Sequence, residues 1–252
     1  MNIVYVTGTA GSGKSLLTSS IVSWYREKSQ DVISVNLDPG VLSLPYDPDV
    51  DIRTSIDIQQ IMADYSLGPN GALILANDLI ASKLPQIQEQ IDSTTADFVV
   101  VDTPGQLELF AFRDSGPFIA KGLEADSKVL LFLMDSLVAS SPTNFLSLIL
   151  LSTSVQLRMG LPQIQVLSKI DLAMQSVPQI VKWTTDPIAF EEALSKIKSG
   201  EEYSFYSQLY RGLKKSSLSL SLYPVSSYTR DGFIGLIGEF ARIFGGGEEY
   251  EE

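Results

Sequence analysis

Hydrophobic positions along this chain fall into two alternating kinds of segment. Short apolar runs occur at Ile3-Val4-Tyr5-Val6, Val32 to Val35, Phe98-Val99-Val100-Val101, Val129 to Met134 and Ile164 to Leu167. They have strand length, and they are continuous rather than alternating, which suits strands covered on both faces of a parallel sheet. Between them, apolar residues recur at helical spacing: over 14–28 through Leu16, Leu17, Ile21, Val22 and Trp24, over 56–65, through Leu73, Ile74, Leu79 and Ile80, over 142–159, and over 232–244. The pattern predicts an α/β fold of three layers, a mostly parallel central sheet with helices on both faces. Strands are expected over 2–7, 32–35, 96–101, 129–134, 164–167 and 218–225. Residues 41–55, with Pro45, Pro48 and three Asp, read as irregular or switch-like. Pro142 to Met159 is apolar nearly all round, which points to core burial, with a dimer face as the lesser reading. From 177 to 215 Trp183, Phe190, Leu194, Ile197, Phe205, Tyr206 and Leu209 lie among charges at helical spacing, so this stretch is expected to be a helical insertion within one domain over 1–244. The end, 245–252, reads as an acidic, disordered tail.

Composition narrows the chemistry. Of 252 residues, 44% are hydrophobic and 19% charged, ample for a core. There is no cysteine and no histidine, so disulfides, thiolate nucleophiles, imidazole acid/base chemistry and Cys/His metal sites are excluded. The formal net charge of −12 argues against nucleic acid as a direct partner. No run is long and apolar enough for a membrane span, and Met1-Asn2-Ile3 lacks the basic start of a signal peptide. A cytoplasmic protein is expected.

The densest chemistry sits between the first strand and first helix. Gly8-Thr9-Ala10-Gly11-Ser12-Gly13-Lys14-Ser15 fits G-x-x-x-x-G-K-[ST] in the strand–loop–helix context that a phosphate loop requires. Glycines let backbone N–H groups turn around an anion, and the helix that follows adds its positive end. Lys14 is expected to reach the outer phosphates and Ser15 to hold Mg²⁺. Asp38 ends the second strand, before Pro39-Gly40. Asp102 ends the third and is followed by Thr103-Pro104-Gly105-Gln106-Leu107-Glu108. An acid at this position can hold Mg²⁺ through water, and Gln106, beside a flexible glycine, can sense a γ-phosphate. Asp171, in Ser168-Lys169-Ile170-Asp171, can accept two hydrogen bonds from the N1–H and exocyclic amine of guanine, a pattern adenine lacks. Two hydrogen bonds to a charged group favour guanine by on the order of 10²–10⁴-fold. Gly68-Pro69-Asn70, taken alone, reads as a turn with Asn70 as helix N-cap.

Phosphate loop, strand-end Asp38, Asp102-x-Pro-Gly-Gln106 and Lys169-x-Asp171 occur in the order a GTPase needs. With Gly68-Pro69-Asn70 added, the whole chain resembles the GPN-loop GTPases, P-loop GTPases of the SIMIBI class, and could stand as an archaeal-type member. The resemblance implies a P-loop NTPase fold. It implies phosphate and Mg²⁺ binding by Gly8, Ala10, Gly11, Ser12, Gly13, Lys14, Ser15 and Leu16, with Asp38 and Asp102 around the metal and attacking water. It implies water positioning by Gln106 and Glu108, and a homodimer in which Gly68, Pro69 and Asn70 reach the partner's site. Base contacts fall to Ser168, Lys169 and Asp171, with Ser226 and Ser227 in the last base-contacting loop. It also implies a client protein, for which the family's association with RNA polymerase assembly supplies a candidate. One departure matters: the usual base motif opens with Asn, which touches the base and braces the phosphate loop, and this chain has Ser168.

Neighbouring readings fare worse. Leu16 stands where a dinucleotide-binding G-x-G-x-x-G needs its third glycine. Thr9-Ala10 stand where ParA/MinD-type ATPases carry a second lysine, and nickel-loading GTPases need Cys and His. The expectation is a Mg²⁺-dependent, GTP-hydrolysing homodimeric switch that binds GTP and GDP. The alternatives are a nucleotide-binding scaffold with negligible turnover and an ATPase switch of the same class.

Overall fold

Strand order in the sheet places the first strand near the middle, with its loop opening onto one edge. In a computed structural model describing residues 1–216 and 221–245, seven strands run β3-β2-β4-β1-β5-β6-β7. In chain order the elements are β1 (Asn2–Gly8), α1 (Lys14–Glu27), β2 (Val32–Asn36), β3 (Val50–Asp51), α2 (Ile58–Asp64), α3 (Pro69–Ser82) and α4 (Leu84–Asp92). Then follow β4 (Phe98–Asp102), α5 (Leu107–Ala111), α6 (Ser115–Gly122), β5 (Ser127–Asp135), α7 (Ser136–Ala139), α8 (Pro142–Met159) and β6 (Gln163–Ser168). The chain closes with α9 (Val177–Thr185), α10 (Pro187–Ser195), α11 (Gly200–Lys215), β7 (Leu222–Pro224) and α12 (Phe233–Phe244). Every strand pair is parallel, so the expected mostly parallel sheet is fully parallel among the described residues.

The continuous apolar runs are explained by burial on both faces. Successive side chains point to opposite sides of a strand. Ile3, Tyr5, Val99, Val101, Leu130, Phe132 and Met134 enter one core with helices α3, α4, α6 and α8. Val4, Val6, Val100, Val129, Leu131 and Leu133 enter a second core, closed by Leu17, Ile21 and Val22 of α1 and Phe233, Leu236 and Phe240 of α12. Helix α8 buries Phe145, Leu146, Leu148, Ile149, Val155 and Met159, as core burial predicts, and exposes Leu157 on its outer side.

Four differences from the sequence pattern have local causes. Residues 41–55 are not wholly irregular: β3 pairs with β2, and a 3₁₀ turn follows over Ile52–Thr54. Asp51 holds this turn, accepting from the backbone N–H of Arg53 at 3.1 Å and from Asn36 Nδ2 at 2.9 Å. Two residues are too few for a hydrophobic period to register. Helices α4, α5, α6 and α7, of 9, 5, 8 and 4 residues, likewise go beyond the expected elements, being shorter than the window in which periodicity is read. Asn70 is not an N-cap. Gly68 caps α3 and Pro69 takes the first helical position, where its missing N–H costs nothing. The last strand is seen over Leu222–Pro224. Residues 218–220 of the expected strand, and the tail from 246, lie outside the described residues.

Residues 177–215 form α9, α10 and α11. Trp183 and Phe190 pack against Phe145 of α8 at ring-centroid distances of 5.5 and 6.1 Å, and Phe190 stacks on Tyr210 at 4.1 Å. No helix of the described residues is long and apolar enough to cross a membrane. Phe145→Ala is expected to lower stability by about 3–5 kcal/mol through the cavity it leaves. In urea titrations, tryptophan fluorescence, which reports Trp24 and Trp183 in separate cores, should shift together with far-UV circular dichroism. Separate transitions would show that α9–α11 unfold on their own.

Candidate functional site

The loop after β1 is shaped by its glycines. Gly8 has φ 149°, and a Cβ there would lie 2.7 Å from the Leu133 carbonyl oxygen and 2.8 Å from Ser12 Oγ. Gly11 and Gly13 take φ 75° and 95°, which side chains resist. Gly13 is the N-cap of α1 without a side-chain cap, and the first turn carries no acid. The leading amides of α1 therefore face the loop as an anion site. Ala10 and Gly11 are exposed, and Leu16 is half-exposed on the outer side of α1. Lys14 is buried, and its ammonium donates to the carbonyl oxygens of Gly8, Thr9 and Gly105, each at 3.1 Å. One cation thus joins the phosphate loop to the loop after β4. Burial pulls the Lys14 pKa below its ordinary value, while Asp102 and Asp38 oppose that shift.

Asp102 lies beneath this lysine and is 1% exposed. Burial pushes its carboxyl up to about 6, against hydrogen bonds from Ser15 and Tyr46 and the charge of Lys14. Tyr46 donates to Asp102 Oδ2 at 3.1 Å, and its own pKa is raised, first by burial and then by Asp102. Two buried oxygens here, Asp102 Oδ1 and Ser12 Oγ, have no hydrogen-bond partner. A carboxylate that is hydrogen-bonded to Ser15 and keeps one oxygen without a partner fits the hard, oxygen-seeking character of Mg²⁺. No group of three or more acidic side chains among the described residues forms a metal cluster alone. Asp38 acts as a clamp: Oδ1 accepts from Gly40 N–H at 2.9 Å and Oδ2 from Gly105 N–H at 2.7 Å. It bridges the loops after β2 and β4.

The residues expected to read a base lie across the ends of β5, β6 and β7. Ser168 is buried, and its hydroxyl donates toward the carbonyl oxygens of Ser12 at 2.8 Å and Met134 at 3.2 Å. Lys169 adopts φ 59°, an uncommon conformation for a side-chain-bearing residue, and pairs with Asp135 Oδ2 at 2.7 Å. Its Cε lies 3.8 Å from the position a Cβ on Gly13 would take, so the lysine stem passes over the phosphate loop. Asp171 Oδ1 accepts from Ser226 Oγ at 2.7 Å, and the Ser227 carbonyl accepts from Ser20 at 2.8 Å.

The structure therefore brings Gly8 to Ser15, Asp38, Asp102, Ser168, Lys169, Asp171, Ser226 and Ser227 to one edge of the sheet. Gln106 and Glu108 follow directly, both exposed, at the N-cap and in the first turn of α5. Gly68, Pro69 and Asn70 stand apart. All three are exposed, and Pro69 borders a groove of about 530 Å³ with Pro39, Val41, Arg53, Ile58 and Leu73. Sequence reasoning missed Tyr46, Asn36 and Asp135. Asn36 and Asp135 end strands, a position that could have flagged them; Tyr46 sits among prolines and acids with no such signal.

Fold, glycine loop, buried lysine and strand-end acid together define a P-loop nucleotide-binding protein. A family model described as "Conserved hypothetical ATP binding protein" matches residues 6–245. The chain is 34% identical over 172 residues to GPN-loop GTPase PAB0955 of Pyrococcus abyssi, covering 68% of each. It is 31% identical over 245 residues to GPN-loop GTPase 1 of Saccharomyces cerevisiae, covering 92% of this chain and 63% of that protein. For GPN-loop GTPase QQT2 of Arabidopsis thaliana the values are 32% over 257 residues, 98% and 64%. The crystal structure of PAB0955, a GTPase, superimposes with a TM-score of 0.84 at 28% identity, covering 96% of this chain and 97% of that one. This chain belongs to the GPN-loop GTPase family. It spans less than two thirds of the length of the yeast and plant relatives.

The raised pKa of Asp102 has a measurable consequence. A carboxyl that titrates at about 6 when folded and 3.8 otherwise holds its proton longer in the native state. Stability therefore falls as pH rises through that window and stays lower above it. Asp102→Asn, with chelator and without nucleotide, should be more stable than the unchanged protein by about 3 kcal/mol at pH 7.5. Urea midpoints should show the gain roughly halved by pH 5 and gone below the window. An unchanged midpoint at pH 7.5 would show that the carboxylate is not held at such cost.

Proposed function

We propose that this protein is a magnesium-dependent GTP hydrolase that works as a homodimeric switch. The observation that carries the reading is the hydrogen bond from Ser168 to the Ser12 carbonyl. It ties the base-reading loop to the phosphate loop, so both ends of a nucleotide are addressed by one rigid unit. Asp171, fixed by Ser226, favours guanine. The relatives' names agree, whereas the family model's description speaks of ATP, which makes adenine the alternative to test.

Phosphoryl transfer to water needs positioning and charge neutralisation more than covalent chemistry. Gly8 to Gly13 and the start of α1 cradle the phosphates. Lys14 leaves its carbonyl partners for phosphate oxygens. Ser15 and Asp102 would hold a magnesium ion, with Asp38 near it, and the ion would neutralise phosphate charge. Gln106 and Glu108 orient the attacking water. Asn70, exposed at the tip of α3, enters the site of a second copy and contacts phosphate there. Unassisted turnover is roughly 10⁻⁴–10⁻² s⁻¹. The same reading takes residues 1–244 as one domain with 177–215 inserted. It places the protein in the cytoplasm, and gives it a protein client, RNA polymerase being the candidate the family suggests, with no direct nucleic-acid contact.

Single-turnover hydrolysis tests this. Lys14→Ala should abolish nucleotide binding. Asn70→Ala should keep binding and cut turnover by about 10²-fold or more, as loss of a charge-stabilising contact does. Full activity in Asn70→Ala removes the second copy from the chemistry. Tight GTP binding with no phosphate release in the unchanged protein makes it a scaffold instead, and equal competition by ATP removes the guanine preference.

A further inference from the structure

Helix α5 has five residues, yet Gln106 and Glu108 depend on it for their positions. So short a helix has little stability of its own. Its carbonyl groups at the C-terminal end lack intrahelical partners. One of them, Leu109 O, accepts a hydrogen bond from Asn77 Nδ2, a fully buried side chain in the second half of α3. Asn77 Nδ2 also donates to Ser115 Oγ at 3.0 Å, at the start of α6. Ser115 in turn donates to Asp78 Oδ1 at 3.1 Å. Arg113, in the turn between α5 and α6, binds Asp78 through both ends of its guanidinium, at 3.1 and 2.6 Å. The Arg113 guanidinium holds the Asp78 carboxyl below its ordinary range.

These bonds cross an otherwise apolar face. On α3, Asn77 is flanked by Ala72, Ala76 and Ile80, all buried. Asn77 Oδ1 has no partner there. A buried amide that is only half satisfied is a poor choice for stability, since an apolar side chain of that size avoids the desolvation. The arrangement therefore has another consequence, which is to fix where α5 lies.

We propose that Asn77 and Asp78, acting through Ser115 and Arg113, are positioning residues for hydrolysis. They lock α5 to α3 and so set Gln106 and Glu108 against the nucleotide. The inference rests on the hydrolase reading above. Helix α3 begins at Gly68-Pro69-Asn70, so the same lock makes one rigid piece of the exposed Asn70 tip and the water-positioning loop. Displacement of α5 by a fraction of an ångström moves both.

The test compares Asn77→Leu, Arg113→Ala and the unchanged protein in two measurements. Asn77→Leu keeps the γ-branched shape and removes the donors, and Arg113→Ala removes one partner of a half-exposed pair. Single-turnover GTP hydrolysis should fall about 10-fold in Asn77→Leu and about 3-fold in Arg113→Ala. Affinity for a non-hydrolysable GTP analogue should stay within about twofold in both variants, although the thermal midpoint of Asn77→Leu drops because the Leu109 carbonyl loses its donor. A merely structural role would lower the midpoint and leave the rate intact. Hydrogen exchange of the amides of α5 should quicken about 10-fold in Asn77→Leu, with the β1 amides unaltered. Unaltered exchange in α5, or a full hydrolysis rate in Asn77→Leu, overturns the proposal. If the unchanged protein releases no phosphate, the hydrolase reading fails, and so does a role in hydrolysis for these residues; exchange then shows whether the lock on α5 exists by itself.

Discussion

Burial of the sheet on both faces is the constraint from which the rest follows. Once every strand is parallel and covered, the chain has to cross back over the sheet between strands, through helices everywhere except between β2 and β3, and the loops that leave the carboxyl ends gather at a single edge. Gly8, Asn36, Asp102, Asp135 and Ser168 are the last residues of β1, β2, β4, β5 and β6. They come from across the chain and meet because the topology allows nothing else. Ser168 reaching Ser12, 156 positions away, is a direct product of that constraint.

Polar groups at this edge are arranged against their own stability. Lys14 and Asp102 are both buried, and burial shifts each toward its neutral form. The lysine is satisfied by three carbonyl oxygens, so its charge is well solvated by dipoles. The carboxylate is less well served, with one oxygen bonded to Tyr46 and Ser15 and the other left without a partner. An unmet carboxylate oxygen and an unmet hydroxyl, Ser12 Oγ, both buried near the phosphate loop, fit a site that takes a nucleotide's phosphates. Tyr46 fits the same logic. Its hydroxyl covers the carboxylate from the segment between β2 and β3, where Asp49 anchors the chain by accepting from the backbone N–H and hydroxyl of Ser34.

Much of this could be read from the residues. The runs at 3–6 and 98–101 gave the central strands because continuous β-prone hydrophobics have one common use, and the phosphate loop was legible because its spacing encodes backbone geometry. What escaped was held by few residues or by distant ones. β3 is two residues long, and α5 and α7 are too short for a period to show. Tyr46 and Asn77 could not be singled out, since neither falls in a motif: each matters through a partner 56 or 32 positions away. The role of Asp38 was legible only in part. Its place at a strand end was clear, but its engagement with the amides of Gly40 and Gly105 depends on a loop that sequence spacing does not place.

Ser168 shows how a departure from a family pattern can be weighed. The usual asparagine has two tasks, contact with the base and support of the phosphate loop. A serine is shorter and has a single hydroxyl proton. In this chain that proton is directed at the carbonyl oxygens of Ser12 and Met134, within the protein interior. The supporting task is therefore retained in full, and the hydroxyl has no second donor to offer a base. In the proposed reading discrimination falls to Asp171, whose carboxylate is held by Ser226 from the neighbouring strand's loop and keeps lone pairs for two donors. On that reading the donors lie on the edge where guanine and adenine differ, so the serine costs a contact but not the chemical basis of choice. Asp171 is held against the same β6–β7 edge that Ser168 ties to the phosphate loop, so in this reading support of one end of the nucleotide and selection at the other become a single mechanical property of the sheet.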